Sequence, residues 1–328
     1  MVVATVIEDI LVLIALGLVG ISGNMFNLVF TIQQHIKSKN IQTVGLILSV
    51  ISLNNVILVT ATLVMVLSVF FLPTVWCMRP FPFALRIVIY LTMNCSCISF
   101  WSIAWQSLFY CVKVVNFSSE CLISLKRNIS TVINTGVLLS CLGFSVFFIP
   151  FLTLDVPATN SRNVSANYSL NATLGTACPR LIFSINMNEI AYVAVVLFFL
   201  CPLPLMIMLP TSLRMVVHLC AHTLALRKNK TQVQGSDSYV LVCKLTISLV
   251  GVYLVTLFIV GLFLTIRLME GNITYLVLNF AFSFYGGMSS VILTASNRYL
   301  KEKLWSLFCC KKAQEPAIKS QTCETVDG

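Results

Sequence analysis

The sequence predicts an all-α membrane protein: a seven-transmembrane helix bundle with its N-terminus outside and a short amphipathic helix after the seventh span. Three observations carry that prediction: an apolar composition, seven charge-free windows, and an asymmetry of cations and glycosylation sequons between the two faces. Of 328 residues, 58% are hydrophobic and 10% are charged. A soluble domain carries about 25% charged residues, so the solvent of most of this chain is lipid.

The 32 charged side chains (21 basic and 11 acidic) all fall outside seven windows. In order these are Ile10–Ile32, Thr43–Phe71, Ile87–Val112, Asn128–Leu154, Ile190–Leu213, Leu245–Ile266 and Gly271–Asn297. Each exceeds the roughly 20 residues a helix needs to cross a bilayer core. A charge at the bilayer centre costs roughly 2.5–3.5 kcal/mol, which explains the segregation. The first window lacks a basic leader and is too long for a signal core, so it is expected to act as its own insertion signal. The fifth contains Pro202, Pro204 and Pro210; each removes a backbone donor, so a kink is expected. Gly286 and Gly287 offer the seventh a similar point of freedom.

After the seven-helix domain 1–297, the stretch Arg298–Phe308 places Leu300, Leu304, Leu307 and Phe308 on one face. That pattern predicts a helix lying on the inner leaflet, with Cys309 and Cys310 open to palmitoylation. Residues 309–328 then form a disordered cytoplasmic tail.

Orientation follows from charge. The face that carries the tail holds 16 of the 21 cations, among them Lys37, Lys39, Lys113, Lys126, Arg127, Arg214 and Lys244. The other face holds Arg79, Arg86, Arg162, Arg180 and Arg267. Cytoplasmic loops carry the Lys/Arg excess, so the tail is inside. The net charge of +10 is therefore a topology signal, with no nucleic acid implied. The loop between spans four and five agrees: it carries sequons at Asn163, Asn167 and Asn171, acceptors only on the outer side. Matches at Asn116, Asn128 and Asn229 fall on the inner side or at a membrane boundary, and Asn272 at the outer edge of span seven. Of 13 cysteines only Cys77 and Cys178 fall in outer loops, where a disulfide can persist.

Several functions are disfavoured. No internal repeat of the transporter kind is present, and no acidic or basic residue sits inside a span to mark a proton or ion path. His218 and His222 lie one helical turn apart without a third ligand, so no metal, cofactor or catalytic centre is expected. What remains is a bundle that binds outside and reports inside. The outer halves of the spans are apolar with scattered neutral groups: Thr92, Asn94, Ser96 and Phe100 in span three, Tyr192 in span five, Tyr253 in span six, Asn279 and Phe282 in span seven. A mostly apolar pocket with a few placed polar groups suits a small, neutral amphiphile.

Local motifs add a resemblance. Span one carries Gly20-Ile-Ser-Gly23-Asn24-Met-Phe26. Span three ends Phe109-Tyr110-Cys-Val-Lys113-Val-Val-Asn116-Phe117-Ser118. Span six opens Lys244-Leu-Thr-Ile-Ser248 with Tyr253 in register, and span seven closes on Ser290, Ile292, Leu293 and Asn297. Along most of its length the chain resembles the vertebrate type 2, or bitter, taste receptors, a family of G-protein-coupled receptors. It departs from that family's pattern in span two, with Asn55 for the usual Arg, and in span seven, with Gly286 and Ser289 for the usual Pro and His. The family's ligand-facing Asn and Trp of span three correspond to Ser96 and Thr92. The resemblance implies a multi-pass plasma-membrane receptor, a small-molecule agonist, and a heterotrimeric G protein of the gustducin or inhibitory type. Tyr110, Lys113, Asn116, His222, Lys244 and Asn297 would face that G protein. Type 1 vomeronasal-like pheromone receptors share the short N-terminus and missing motifs, and a carrier of neutral solutes is the remaining alternative.

Overall fold

The computed structural model describes residues 2–38, 42–115, 120–156, 181–228, 236–270 and 276–308. Asn116, Asn163, Asn167, Asn171, Cys178, Cys309 and Cys310 lie outside the described residues. Among the described residues, seven helical segments are long and apolar enough to cross a membrane. The first four spans are built on α1 (Val2–Ser38), α2 (Thr43–Phe71), α3 (Phe83–Val114) and α4 (Glu120–Phe147). Span five comprises α5 (Glu189–Leu200) and α6 (Pro202–Lys228); α7 (Ser236–Glu270) and α8 (Leu276–Ser296) follow, and α9 (Arg298–Phe308) is the amphipathic helix.

The helices of spans one, three, five and six overrun their charge-free windows because the windows mark only what must sit in hydrocarbon. α2 coincides with its window and the described α8 lies within its own. Span four falls short at its outer end. Its α-helix ends at Phe147, and a tight turn of 3₁₀ helix over Ile149–Thr153 carries the chain to the outer surface. Pro150 in that turn lacks the N–H an α-helix would require.

α3 is the central strut. Nineteen of its 32 residues are buried, whereas α4 and α5–α6 show most of their surface to lipid. One continuous core joins α2, α3, α7 and α8 through Leu58, Phe100, Ile103, Leu249, Tyr253, Phe282 and Tyr285. α1 reaches this core by close approach to α8. A Cβ added at Gly20 would come within 3.2 Å of the Gly287 nitrogen, so this helix crossing depends on the missing side chain.

Two short strands close the outer end. β1 (Leu154–Asp155) pairs antiparallel with β2 (Ile182–Phe183), with Leu154 opposite Phe183. They pack with Trp76 and Phe81 over Met65, Leu85 and Ile89 as a second apolar cluster.

Candidate functional site

Where a polar side chain must live in hydrocarbon it needs a partner inside the protein. In α1 the residues Gly20, Asn24, Asn27 and Thr31 recur at helical spacing on the face toward α8. Asn24 donates to the Gly286 carbonyl at 2.9 Å. Asn27 donates to the Ser290 carbonyl at 3.0 Å and accepts from Thr294 at 2.8 Å. Asn55 of α2 is wholly buried. It donates to Ser289 Oγ at 2.8 Å and accepts from Ser99 Oγ at 2.5 Å, and Tyr285 donates to Ser99 at 3.2 Å. Four helices are thus tied together by neutral groups. Sequence reasoning flagged Asn55 and Ser289 only as departures from a pattern; the structure shows that the two departures are partners.

The residues expected to touch ligand divide into two groups. Ser96 and Phe100 share one face of α3, and Phe100 stacks edge-on against Tyr253 (4.7 Å) and Tyr285 (4.9 Å). Phe282 belongs to the same core, and Asn279 is equally buried one turn further out on α8. Thr92 lies on the Ser96 face; both hydroxyls bond their own helix, to Val88 and Met93 carbonyls. Asn94 points about half a turn away, toward Ser145 of α4 at 3.3 Å. Tyr192 stands apart on α5, where its ring meets Phe147, Phe151 and Phe183 and its hydroxyl donates to the Phe147 carbonyl. The structure therefore gathers Ser96, Phe100, Tyr253, Asn279 and Phe282 about the axis, with Asn94 and Tyr192 on the α4–α5 side.

Span five breaks where its prolines predict. Cys201 separates α5 from α6, and Pro204 has no N–H to offer the Leu200 carbonyl four residues back. The Tyr253 hydroxyl, from α7, donates instead to the carbonyls of Leu200 (2.8 Å) and Cys201 (2.9 Å). From the other side Trp101 Nε1 of α3 donates to the Phe199 carbonyl at 3.1 Å. The break is consequently held from both α3 and α7. One and a half turns inward, Ser107 of α3 bonds Thr211 and Ser212 of α6 at 2.7 and 3.0 Å.

At the inner end, Tyr110 is buried against Phe109, while the exposed Lys113 ammonium sits 5.2 Å over the Phe109 ring. Lys244 is exposed at the inner end of span six. His222 lies on α6, but its side chain is outside those described. Asn297 faces inward to its own chain: its side-chain oxygen accepts from the Tyr299 and Leu300 amides and caps α9.

At the outer end, Asp155 organises the loops. Its carboxylate accepts from the Phe81 amide at 2.9 Å and the Val156 amide at 2.8 Å, with Arg86 3.8 Å away. Those two hydrogen bonds, assisted by the charges of Arg86 and Arg79, hold its carboxyl below the ordinary value. Cys77, in the same loop, is disulfide-bonded.

Comparison with known proteins settles the family. The family described as Taste receptor protein (TAS2R) matches residues 1–312. The chain belongs to the type 2, or bitter, taste receptor family. It is 24% identical to mouse taste receptor type 2 member 114 over 308 residues, covering 91% of this chain and 94% of the relative. It is 25% identical to orangutan (Pongo pygmaeus) taste receptor type 2 member 7 over 191 residues, 58% of this chain and 56% of that one. A chicken relative, member 40, is 26% identical over 133 residues, 40% of each. This taste receptor is therefore a G-protein-coupled, multi-pass plasma-membrane protein and no enzyme. A G protein and small-molecule ligands are its partners by family.

Proposed function

We propose that this receptor senses small, mostly neutral amphiphiles in the outer half of the bundle, between α3, α5, α7 and α8, and activates a gustducin or inhibitory-type G protein. One observation carries the ligand class: among the described residues, every buried polar side chain is neutral. A charged amine or carboxylate entering that interior would find no counter-ion and would forfeit its hydration. An apolar body with one or two hydrogen-bonding groups would be held by burial, at roughly 25 cal/mol per Å², and oriented by Ser96 or Asn279.

The path from ligand to inner face runs through the span-five break. Phe100 and Tyr253 touch, and Tyr253 holds the carbonyls at the break. A ligand that displaces the Phe100–Tyr253 pair shifts α7 against α5–α6, and only if it binds that arrangement more tightly does the population move. The inner surface that would receive the G protein comprises the exposed Lys113 and Lys244, with Asn116 and His222 assigned by resemblance; Tyr110, buried against Phe109, would act from behind that surface. Asn297 contributes indirectly, by fixing the start of α9. The proposal extends to a bridge from Cys77 to Cys178, glycans at Asn163, Asn167 and Asn171, and palmitate on Cys309 and Cys310.

The test is a calcium response in cells carrying the receptor with a chimeric gustatory G protein, screened against neutral amphiphiles and their charged analogues. Dose-dependent responses to the neutral set, absent without the G protein, are expected. Equal or better responses to permanently charged analogues would refute the ligand class.

A further inference from the structure

We propose that the inner end of α2 is a binding site for the phosphate of an anionic inner-leaflet lipid. A cavity of about 70 Å³ opens there, lined by Thr31, Gln34 and His35 of α1, by Gln42, Val44, Gly45 and Leu48 at the start of α2, and by Asn297 at the α8–α9 elbow. Water occupies about 30 Å³ per molecule, so the space suits one group the size of a phosphate or a pair of waters.

Three features select an anion. First, α2 begins here without a cap: Gln42 is its N-cap residue, makes no side-chain capping bond, and no acidic residue follows in the first turn. The amides of Thr43, Val44 and Gly45 precede the first intrahelical bond, which runs from Leu46 N to Gln42 O. Such orphan donors, at the positive end of a 29-residue helix, form the usual setting for phosphate. Second, Thr31 is 2% exposed and its hydroxyl has no hydrogen-bond partner, although it lines this polar space. A buried hydroxyl without a partner is costly, and a phosphate oxygen would accept its proton. Third, no carboxylate lines the cavity among the described residues, while Lys37 in the last turn of α1 and Lys301 one turn into α9 are exposed.

Position selects the lipid over a soluble phosphate. Ile36, beside the cavity wall, is 72% exposed and apolar, so this flank of α1 meets acyl chains. α9, whose amphipathic pattern lays it on the inner leaflet, starts at the same elbow. The cavity thus stands at headgroup depth, open to a phosphate monoester carried on a lipid.

The full-length receptor is reconstituted in nanodiscs of phosphatidylcholine alone, or with added phosphatidylinositol 4-phosphate, and its thermal midpoint is measured. A third arm adds inorganic phosphate to the phosphatidylcholine discs. The expected result is a midpoint that rises with the mole fraction of phosphoinositide and does not rise with inorganic phosphate. Gln42→Glu places a carboxylate at the exposed N-cap position. It is expected to raise the midpoint in phosphatidylcholine and to abolish the lipid-dependent rise; Thr31→Val is expected to reduce that rise. No rise in the wild type, or the same rise in wild type and Gln42→Glu, would overturn the site. A full rise with inorganic phosphate alone would overturn the lipid as its occupant.

Discussion

Replacing Tyr253 by Phe removes one hydroxyl and leaves the ring that packs on Phe100. The Leu200 carbonyl, which Pro204 cannot serve, then loses the donor held at 2.8 Å. An unsatisfied buried carbonyl costs about 1–3 kcal/mol. At about 2–4 °C per kcal/mol for chains of a few hundred residues, the thermal midpoint of the purified receptor should fall by roughly 2–12 °C. Pro204→Ala returns an N–H to the position four residues after Leu200, so the two substitutions should couple. In the Pro204→Ala background, Tyr253→Phe should cost clearly less than in the wild type. A Tyr253→Phe receptor as stable as the wild type, or one whose cost is unchanged by Pro204→Ala, would refute the assignment of this hydroxyl as the partner of the span-five break.

Other perturbations follow from the same geometry. Asn55→Arg, which restores the family's usual residue in span two, should lower surface expression severalfold. Asn24, Ser99 and Ser289 around it offer no carboxylate, and surface immunostaining at near-wild-type level would contradict this. Because the Asp155 carboxyl is held below its ordinary value, its contribution is fully present above about pH 4, the unfolded value, and is lost as pH falls through the lower folded value. Protection of the Phe81 and Val156 amides against hydrogen exchange should therefore be lost only in acid, and Asp155→Asn should flatten that dependence. Changing Asn163, Asn167 and Asn171 together to Gln should remove all N-glycan; a residual mobility shift on glycosidase treatment would place a glycan elsewhere.

The span count and orientation were legible in the sequence because the bilayer penalises charge so heavily that 32 charged residues mark the spans by avoiding them. The break in span five was legible for a related reason: Pro202 and Pro204 each remove a backbone donor there, whereas Pro210 sits inside the continuous α6. The place where span four leaves its helix was not, since Ile149–Leu154 is as apolar as the helix before it and only Pro150 hints at the turn. Polar partnerships across helices were hidden too. Asn55 and Ser289 lie 234 positions apart, and single-sequence reasoning has no register between distant helices. Tyr253 illustrates the same limit: it reads as a pocket residue, and its ring does sit on Phe100, but its hydroxyl serves a carbonyl that only the proline pattern makes available. The α1 stripe of Gly20, Asn24, Asn27 and Thr31 went unread in the sequence, although polar residues at helical spacing on one face of a transmembrane helix point to a packed neighbour.

The central claim is that ligand in the outer half drives G-protein activation at the inner face around Lys113. The direct measurement is agonist-dependent nucleotide exchange by purified gustducin-type heterotrimer on the receptor in nanodiscs, run beside a Lys113→Ala receptor. The account predicts exchange that rises with agonist on the wild type. On Lys113→Ala, at equal receptor concentration and agonist affinity, exchange should fall to the agonist-free level. Full exchange by well-folded Lys113→Ala, or none by an agonist-bound wild type, would contradict it.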